Sequence, residues 1–173
     1  MAISLDGKIA MPDGGVEWLE TIPMPEDGDY GYTSFYASID TTIQGYSTYQ
    51  QLMNWDFDFP YPDKKNYVVT TKQGLSNTTY VEFIAQDHIA FIKNLKASEG
   101  KDIWLVGGGK LNAMLLEANL IDEIQLFIMP IVLTKGIDMF SMLPNEYGLK
   151  LIESKVYANG VVETRYELNP EAH

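Results

Sequence analysis

The sequence contains no cysteine, which excludes disulfides, thiolate nucleophiles and zinc–sulfur sites. Histidine is nearly as scarce, since only His88 and His173 occur. His173 is terminal, and His88 lies in a helical pattern, where a single histidine is more often a cap or a surface residue than a ligand. A Ser-His-Asp triad and a histidine metal site are therefore excluded, and we expect no metal site.

Basic residues are also few, with 12 Lys and Arg against 24 Asp and Glu and a formal net charge of −12. This balance argues against nucleic acid and anionic membranes as partners, because both require concentrated positive charge. No signal peptide is apparent and no apolar run approaches the ~18 residues of a membrane span, so a cytoplasmic protein is expected. An anionic cofactor would have to be attracted locally, by Lys8, Lys72 or Lys110.

The length of 173 residues predicts one domain covering 1–173, with a single core. Residues 1–30 are rich in turn signals, and strands then alternate with helices. Ala158-Asn-Gly160 separates two final strand patterns and favours a hairpin turn. The alternation predicts a largely parallel sheet with an antiparallel edge. The strands are predicted at 41–44, 67–71, 79–83, 103–106, 124–130, 149–157 and 161–168, and the helices at 30–40, 48–53 (capped by Ser47), 87–98 and from 111 onward.

The most informative segment is Asp102–Glu117, in which a short apolar strand turns through Gly107, Gly108 and Gly109 into a helix. Unpaired N–H groups and the positive end of the helix dipole at such a turn favour a phosphate or pyrophosphate. Neither a complete G-x-G-x-x-G fingerprint nor a Walker A motif is present, however. A phosphate-binding turn and a purely structural βα turn both remain open.

Several motifs together resemble the dihydrofolate reductase-like superfamily, and most closely the C-terminal reductase domain of the bifunctional riboflavin-biosynthesis deaminase/reductase. They run in the family's order over nearly the whole chain: Met1-Ala-Ile-Ser-Leu-Asp-Gly-Lys-Ile-Ala10, Gly14-Gly-Val-Glu-Trp18, Tyr67-Val-Val-Thr-Thr71, Trp104-Leu-Val-Gly-Gly-Gly-Lys-Leu111 and Asp122-Glu-Ile-Gln-Leu-Phe-Ile-Met-Pro-Ile-Val-Leu133. The resemblance implies a three-layer α/β fold, with a mostly parallel, twisted central sheet flanked by helices and a C-terminal antiparallel hairpin. Relatives carry about one more strand before the first motif, so the first strand is expected to be short.

The same resemblance implies NADPH as cofactor, with the pyrophosphate at Gly107–Gly109 and the nicotinamide bordered by Ala2 and Ile9. Trp18 lies at the far end of the active-site loop that Asp6 and Gly7 open, and is expected to contact the substrate. The residues expected to bind the cofactor are Ala2, Ile9, Gly45, Tyr46, Thr70, Thr71, Lys72, Val106, Gly107, Gly108, Gly109, Lys110 and Leu111.

One departure from the family affects cofactor choice. Relatives have an arginine where this chain has Tyr46, in Gln44-Gly-Tyr-Ser-Thr-Tyr-Gln50. A tyrosine can stack on adenine but cannot neutralise the 2′-phosphate of NADPH as an arginine does. Lys72 could compensate, so NADPH is expected and NADH remains possible.

The proton donor is open to several interpretations. Dihydrofolate reductases place a carboxylate before the helix that follows the loop, and here that position is Asp29. Asp29 could instead cap the helix at 30–40, and Glu26 or Asp27 could equally be the acid. Asp6 is a further candidate, although Asp-Gly is also a common turn pair.

These features favour a small NAD(P)H-dependent reductase that acts on a pterin-like or pyrimidine-like heterocycle. The alternative is a nucleotide-binding protein of the same fold without hydride transfer. The aromatic loop 55–61 could wall a heterocycle, but such aromatics more often anchor a loop to the core. A homodimer is also expected, from the resemblance and from apolar strands such as 124–133 that could pair outward.

Overall fold

The computed structural model describes residues 1–25, 28–55 and 58–168. The chain folds into two compact units, residues 1–30 with 121–173 (unit 1) and residues 31–120 (unit 2). The prediction of a single domain stays a prediction.

The strands and helices alternate in the order expected from the sequence. Unit 1 contains β1 Ala2–Ser4, β2 Lys8–Ala10, a 3₁₀ helix Glu17–Thr21, β7 Glu123–Met129, β8 Ile137–Asp138, β9 Leu149–Val156 and β10 Val162–Leu168. Unit 2 contains α1 Tyr32–Ser38, β3 Ile39–Gly45, α2 Tyr46–Met53, β4 Lys65–Val69, β5 Val81–Ile84, α3 His88–Lys96, β6 Asp102–Gly107 and α4 Gly109–Glu117.

Unit 2 is built on a parallel sheet with the strand order β5-β4-β3-β6. The central strand β3 is buried on both faces, as its adjacent buried residues Thr42 and Ile43 show, because helices pack on a parallel sheet. Ile43 and Val68 are almost completely buried, for example. α1, α2 and α4 all pack against β3, and α4 also packs against β6. β3 leads directly into α2, and β6 leads into α4 through Gly108.

The strand β4 begins two residues earlier than the sequence predicts, at Lys65. The reason is Asn66, which is a poor strand former but is buried and fully hydrogen-bonded here. Its Oδ1 accepts a bond from the Thr42 hydroxyl at 2.7 Å, and its Nδ2 donates to the carbonyl oxygens of Tyr61 and Tyr80 at 2.9 and 3.0 Å. This network ties β3, β4 and the preceding loop together.

One predicted helix cap is wrong. The helix α2 begins at Tyr46 with Gly45 as its N-cap, so Ser47 lies inside the helix and does not cap it. The helix α1 has Gly31 as its N-cap, in a left-handed conformation with φ +77°. Asp29 precedes this N-cap by two residues, and a capping role for its side chain stays a prediction.

Unit 1 contains a mixed sheet with the strand order β1-β7-β10-β9. β1 is parallel to β7, whereas β9, β10 and β7 are successively antiparallel. The predicted hairpin is confirmed: the Tyr157 N–H donates to the Val161 oxygen at 2.9 Å, and Gly160 takes the positive φ (+85°) that the turn requires. β2 and β8 form a separate two-stranded antiparallel ribbon.

The predicted fold class is confirmed: a mixed α/β protein with a parallel sheet, flanking helices and a C-terminal antiparallel hairpin. One detail of the prediction is wrong. The apolar strand β7 was expected to have a free edge that could pair with a second copy of the chain. It lies between β1 and β10, so both of its edges are occupied. It ends at Met129 and does not reach Leu133.

Candidate cofactor and substrate sites

The carboxyl ends of three neighbouring parallel strands lie side by side in unit 2. Gln44 in β3 is in register with Gly107 in β6, and Gly45 is in register with Val69 in β4. The segments that follow these strands therefore meet at one edge of the sheet. This edge is the usual place for ligands in open α/β sheets.

Two of the three strands lead straight into helices whose first N–H groups have no side-chain cap. Gly45 is the N-cap of α2 and Gly108 is the N-cap of α4, and neither first turn contains an acidic residue. The first N–H groups of a helix lack partners within the helix, and its dipole is positive at this end. The strand edge thus presents two helix N-termini that favour an anion.

Glycine is required in the turn itself. Gly107 has φ +115°, a conformation that side chains rarely adopt. A Cβ placed on Gly45 would lie 3.7 Å from the Gly107 oxygen, 3.9 Å from the Gly108 nitrogen and 4.0 Å from the Leu111 Cβ. These are ordinary van der Waals distances, so the Gly45 turn lies close to the Gly107–Gly108 turn. The two uncapped helix starts are therefore side by side, and the binding of a pyrophosphate by Gly107, Gly108 and Gly109 stays a prediction.

Tyr46 and Lys72 are brought together across the ends of β3 and β4. The Lys72 ammonium lies 4.2 Å from the centre of the Tyr46 ring. The Tyr46 ring also contacts Phe83 on β5, with the ring centres 6.2 Å apart. The structure therefore places an aromatic surface and a separate cation beside each other at this edge of the sheet.

The segment after β4 is held by hydrogen bonds of Thr70. The buried Thr70 hydroxyl accepts a bond from the Lys72 N–H at 3.0 Å, and its carbonyl oxygen lies 2.9 Å from His88 Nε2. His88 therefore fixes the strand end to the start of α3. Thr71 is exposed and directly precedes Lys72, so its hydroxyl is open to solvent.

The remaining cofactor candidates of unit 2 surround the glycine turn. Val106 is half-buried near the end of β6, and Leu111 is buried in α4. Lys110 is exposed in the first turn of α4, where its cation adds to the positive end of the helix. All three therefore adjoin the expected phosphate position.

Gln44 is a residue that sequence reasoning missed. Its side chain is completely buried, and neither amide atom has a hydrogen-bond partner among the residues that the structure describes. An unsatisfied buried polar group costs about 1–3 kcal/mol and is rare away from functional sites. Its position, one residue before Gly45, was visible in the sequence, but its burial was not.

In unit 1, Asp6 has a well-defined structural role. Its carboxylate accepts bonds from the Ser4 hydroxyl at 2.7 Å and from the N–H groups of Leu133 and Thr134 at 3.0 and 2.8 Å. The Ser4 bond, followed by the Leu133 bond, lowers the pKa of Asp6 to about 2. These bonds give Asp6 a role in holding the 133–134 segment, and its role as a proton donor stays a prediction.

Trp18 and Ala2 lie together, whereas Ile9 lies elsewhere in unit 1. Trp18 is buried with Met129, Tyr157 and Val161, and Ala2 packs against this cluster. Ile9 packs against a second cluster formed by Ile3, Ile124 and Leu126. The Trp18 indole N–H is buried and has no acceptor among the described residues, so its contact with substrate stays a prediction.

Asp29 is half-buried and precedes Tyr30, whose ring packs on Phe127 and Tyr157 with centres 5.6 and 4.9 Å apart. The alternative acids Glu26 and Asp27 lie outside the described residues. Lys8, another candidate for attracting anions, is ion-paired with Asp138. The choice of Asp29 as proton donor therefore stays a prediction.

The aromatic loop anchors to unit 2, as the sequence favoured. The rings of Phe59 and Tyr80 stack with centres 5.6 Å apart, and Tyr61 packs edge-on against Trp104 at 5.1 Å. Tyr61 is buried, and burial raises the pKa of its hydroxyl. Phe57 lies outside the described residues.

Two kinds of feature are absent from the described part of the chain. No group of three or more His, Asp or Glu side chains there is arranged to hold a metal ion. No helix within 1–25, 28–55 and 58–168 has the length and apolar character needed to cross a membrane.

Comparison with known proteins identifies the family. Residues 61–163 match the RibD C-terminal domain model. The chain is 38% identical over 161 residues to the uncharacterized protein YwjB of Bacillus subtilis (strain 168), with 93% of this chain and 91% of YwjB covered. It is 30% identical over 180 residues to the uncharacterized protein YyaP of the same strain, covering 98% and 93% of the two chains. The chain belongs to the RibD C-terminal domain family.

Solved structures agree with this assignment. A candidate riboflavin biosynthesis protein from Shewanella sp. PV-4 superposes with a TM-score of 0.86 at 27% identity, covering 98% of this chain and 96% of that one. A diaminohydroxyphosphoribosylaminopyrimidine deaminase/5-amino-6-(5-phosphoribosylamino)uracil reductase from Thermotoga maritima shares the fold, with a TM-score of 0.68 at 16% identity. That match covers 97% of this chain but 55% of the longer bifunctional one. The fold is thus the dihydrofolate reductase-like fold of the riboflavin-biosynthesis reductases.

Proposed function

We propose that the protein is an NAD(P)H-dependent reductase that transfers hydride to a small planar heterocycle, pyrimidine-like or pterin-like. The observation that carries the proposal is the pair of glycine-capped helix N-termini, at Gly45 and Gly108, on adjacent strand ends. Two such anion sites side by side suit the linked phosphates of a dinucleotide. Membership of a reductase-like family adds independent support.

The residues of unit 2 fit NADPH in distinct roles. The Gly107–Gly109 backbone would bind the pyrophosphate, and the Tyr46 ring offers a flat surface for adenine. Lys72 provides the positive charge nearest to that ring. When bound, the cofactor would supply the hydride.

Two observations favour a pyrimidine-like substrate. The bifunctional relative from Thermotoga maritima acts, by its name, on a pyrimidine that carries a phosphoribosyl group. In unit 1, the buried Trp18 indole N–H has no acceptor among the described residues, and a heterocycle oxygen or nitrogen could satisfy it. We accordingly favour a pyrimidine-like ring over other planar substrates.

Binding and turnover test the proposal in two stages. Calorimetric titration with NADPH and with NADH should give a saturable one-site isotherm. The dinucleotide-saturated protein should then consume reduced nicotinamide when pyrimidine or pterin substrates are added, and heat-denatured protein should not. Absence of dinucleotide binding would overturn the proposal as a whole.

The alternative is a dinucleotide-binding protein without hydride transfer. The bonds of Asp6 to Ser4, Leu133 and Thr134 favour this second function, because they give the carboxylate a structural role. Tight binding without turnover across the substrate panel would support this second function.

A further inference from the structure

The turn of the C-terminal hairpin carries an asparagine that its backbone does not require. Asparagine is favoured in such turns chiefly because it tolerates a positive φ. Here the positive φ is at Gly160 (+85°), and Asn159 is not among the described non-glycine residues that have one. The reason for an asparagine at this position therefore lies in its side chain.

The Asn159 side chain forms hydrogen bonds through both of its polar atoms. Its Oδ1 accepts a bond from the Val161 N–H at 3.3 Å within the turn, as an aspartate could also do. Its Nδ2 has two hydrogens and donates to the Pro23 carbonyl oxygen at 2.7 Å and to the Tyr30 hydroxyl. The Nδ2 group is thus what asparagine adds over aspartate here.

The two acceptors of Nδ2 are the two ends of the segment 23–30. Pro23 closely follows the 3₁₀ helix Glu17–Thr21, and Tyr30 is the last residue of this part of unit 1. Asp29, the candidate proton donor, lies in this segment directly before Tyr30. A single amide group therefore fixes both ends of the segment that carries Asp29.

Tyr30 is held in a strained backbone conformation. Its φ is +56°, which bulky residues rarely adopt. Such a conformation persists only where the surroundings maintain it, and it is most common at functional sites. The ring of Tyr30 packs edge-on against Phe127 and Tyr157, and its hydroxyl accepts the bond from Asn159. These contacts maintain the backbone next to Asp29.

The same contacts place Tyr30 beside the residue expected to meet the substrate. Tyr30 packs against the buried cluster that contains Trp18. A general acid must lie within hydrogen-bond reach of the atom that it protonates. A displacement of about 1 Å can lower a rate by about 100-fold. The place of the segment 23–30 is therefore important for any acid that it carries.

We propose that Asn159 is a positioning residue for hydride transfer, because its Nδ2 group holds both ends of the segment 23–30 and so sets the place of Asp29. This role rests on the proposed reductase function. Asn159 acts through Pro23 and Tyr30, and it needs no contact with cofactor or substrate. Loss of the Nδ2 donor releases the segment but leaves the hairpin intact.

Asn159→Asp removes the donor with little other change. Aspartate has nearly the same size, forms an Asp-Gly hairpin turn and can keep the Val161 bond. Its carboxylate cannot donate to the Pro23 oxygen at neutral pH. The kcat of NADPH oxidation with the most active pyrimidine of the panel should fall about 10-fold or more. The calorimetric Kd for NADPH should change by less than about 2-fold, because the glycine turns lie in unit 2.

Hydrogen exchange gives a readout that does not depend on turnover. The N–H groups at 28–30 should exchange about 10-fold faster or more in Asn159→Asp, because opening the segment no longer breaks the two Nδ2 bonds. Asn145→Asp makes the same chemical change at an exposed asparagine of unit 1 and is the matched control. It should alter neither exchange nor kcat, and thermal unfolding would verify that both variants are folded.

Tyr30→Phe is a second variant, which removes the hydroxyl and keeps the ring. It should lower kcat about 3-fold or more, and adding Asn159→Asp should then have a smaller effect than in the unmodified protein, because both changes remove one shared bond. An unmodified protein without turnover would contradict the proposed function, on which the positioning role depends. Full kcat in folded Asn159→Asp, or unchanged exchange at 28–30, would overturn this inference while the proposed function stands.

Discussion

The Lys72 ammonium lies over the Tyr46 ring, 4.2 Å from its centre. The contact joins the residue after β3 to the segment after β4, and so places a cation beside an aromatic surface. Relatives are expected to combine the charge and the planar group in one arginine. Here the two properties are divided between two side chains, so they can be removed one at a time.

Lys72→Ala should separate the two cofactors. Removing the cation is expected to weaken NADPH by about 10-fold, because a 2′-phosphate loses its nearest counter-charge, and to change NADH by less than about 2-fold. Calorimetric titration of both dinucleotides would measure the effect, with Lys93→Ala in α3 as an exposed control. Equal losses for the two cofactors would show that the 2′-phosphate lies elsewhere.

Gly45→Ala should weaken dinucleotide binding without unfolding the protein. The added Cβ has room, since its nearest contacts would be 3.7–4.0 Å away, and Gly45 has an ordinary extended conformation. Stability is expected to stay equal or rise by up to about 1 kcal/mol, whereas affinity should fall about 10-fold or more, because the methyl group would obstruct a phosphate bound at the two adjacent turns. Ser47→Ala, in the same helix, is the control. Full affinity in Gly45→Ala would argue against a phosphate bound at the start of α2.

Gln44→Met should stabilise the protein. The replacement keeps the volume and removes two buried amide atoms that have no partner among the described residues, so the free energy of unfolding should rise by about 1–3 kcal/mol. Urea unfolding would measure this change. A loss of stability would mean that the amide has a partner in solution. If stability rises while NADPH affinity falls, the amide serves the ligand.

Asp6 should contribute an acid-sensitive part of the stability. Its folded pKa of about 2 lies below its ordinary value, so the contribution is complete above about pH 4 and is lost as the pH falls towards 2. Asp6→Asn should therefore flatten the pH dependence of the melting temperature in that window. A variant with the same acid profile as the unmodified protein would show that the Leu133 and Thr134 bonds do not depend on the charge.

Asp29→Asn tests the proposed proton donor. Asparagine caps a helix nearly as well as aspartate but cannot donate a proton, so a fall in turnover would not be explained by loss of a cap. We expect turnover on a genuine substrate to fall about 100-fold or more, as for loss of a general acid, with little change in melting temperature. Unchanged turnover would move the search to Asp27 or to a bound water.

The sequence was sufficient for the fold class because patterns of different kinds agreed. Periodicity placed each strand and helix of the parallel sheet, and Asn159-Gly160 placed the hairpin. The glycine run at 107–109 predicted an uncapped helix start, and the structure has one there. These features depend on residues close together in the chain.

The features that sequence reasoning missed depend on contacts between residues that are far apart in the sequence. Asn66 enters β4 because Thr42, 24 residues earlier, supplies a hydrogen bond inside the sheet. Asp6 is held by N–H groups 127 and 128 residues away, which no local turn rule could include. The free edge expected for β7 was wrong for the same reason. The order of strands in a sheet depends on distant parts of the chain and cannot be predicted from the residues of one strand.

The uncapped starts of α2 and α4 also have a practical consequence for handling the protein. Inorganic phosphate or sulfate should occupy the same N–H groups and raise the melting temperature in a concentration-dependent way. Those ions would then compete with a dinucleotide, so apparent affinities will depend on the buffer anion. A preparation kept in phosphate would look more stable and bind NADPH more weakly than the same preparation in a buffer without such anions.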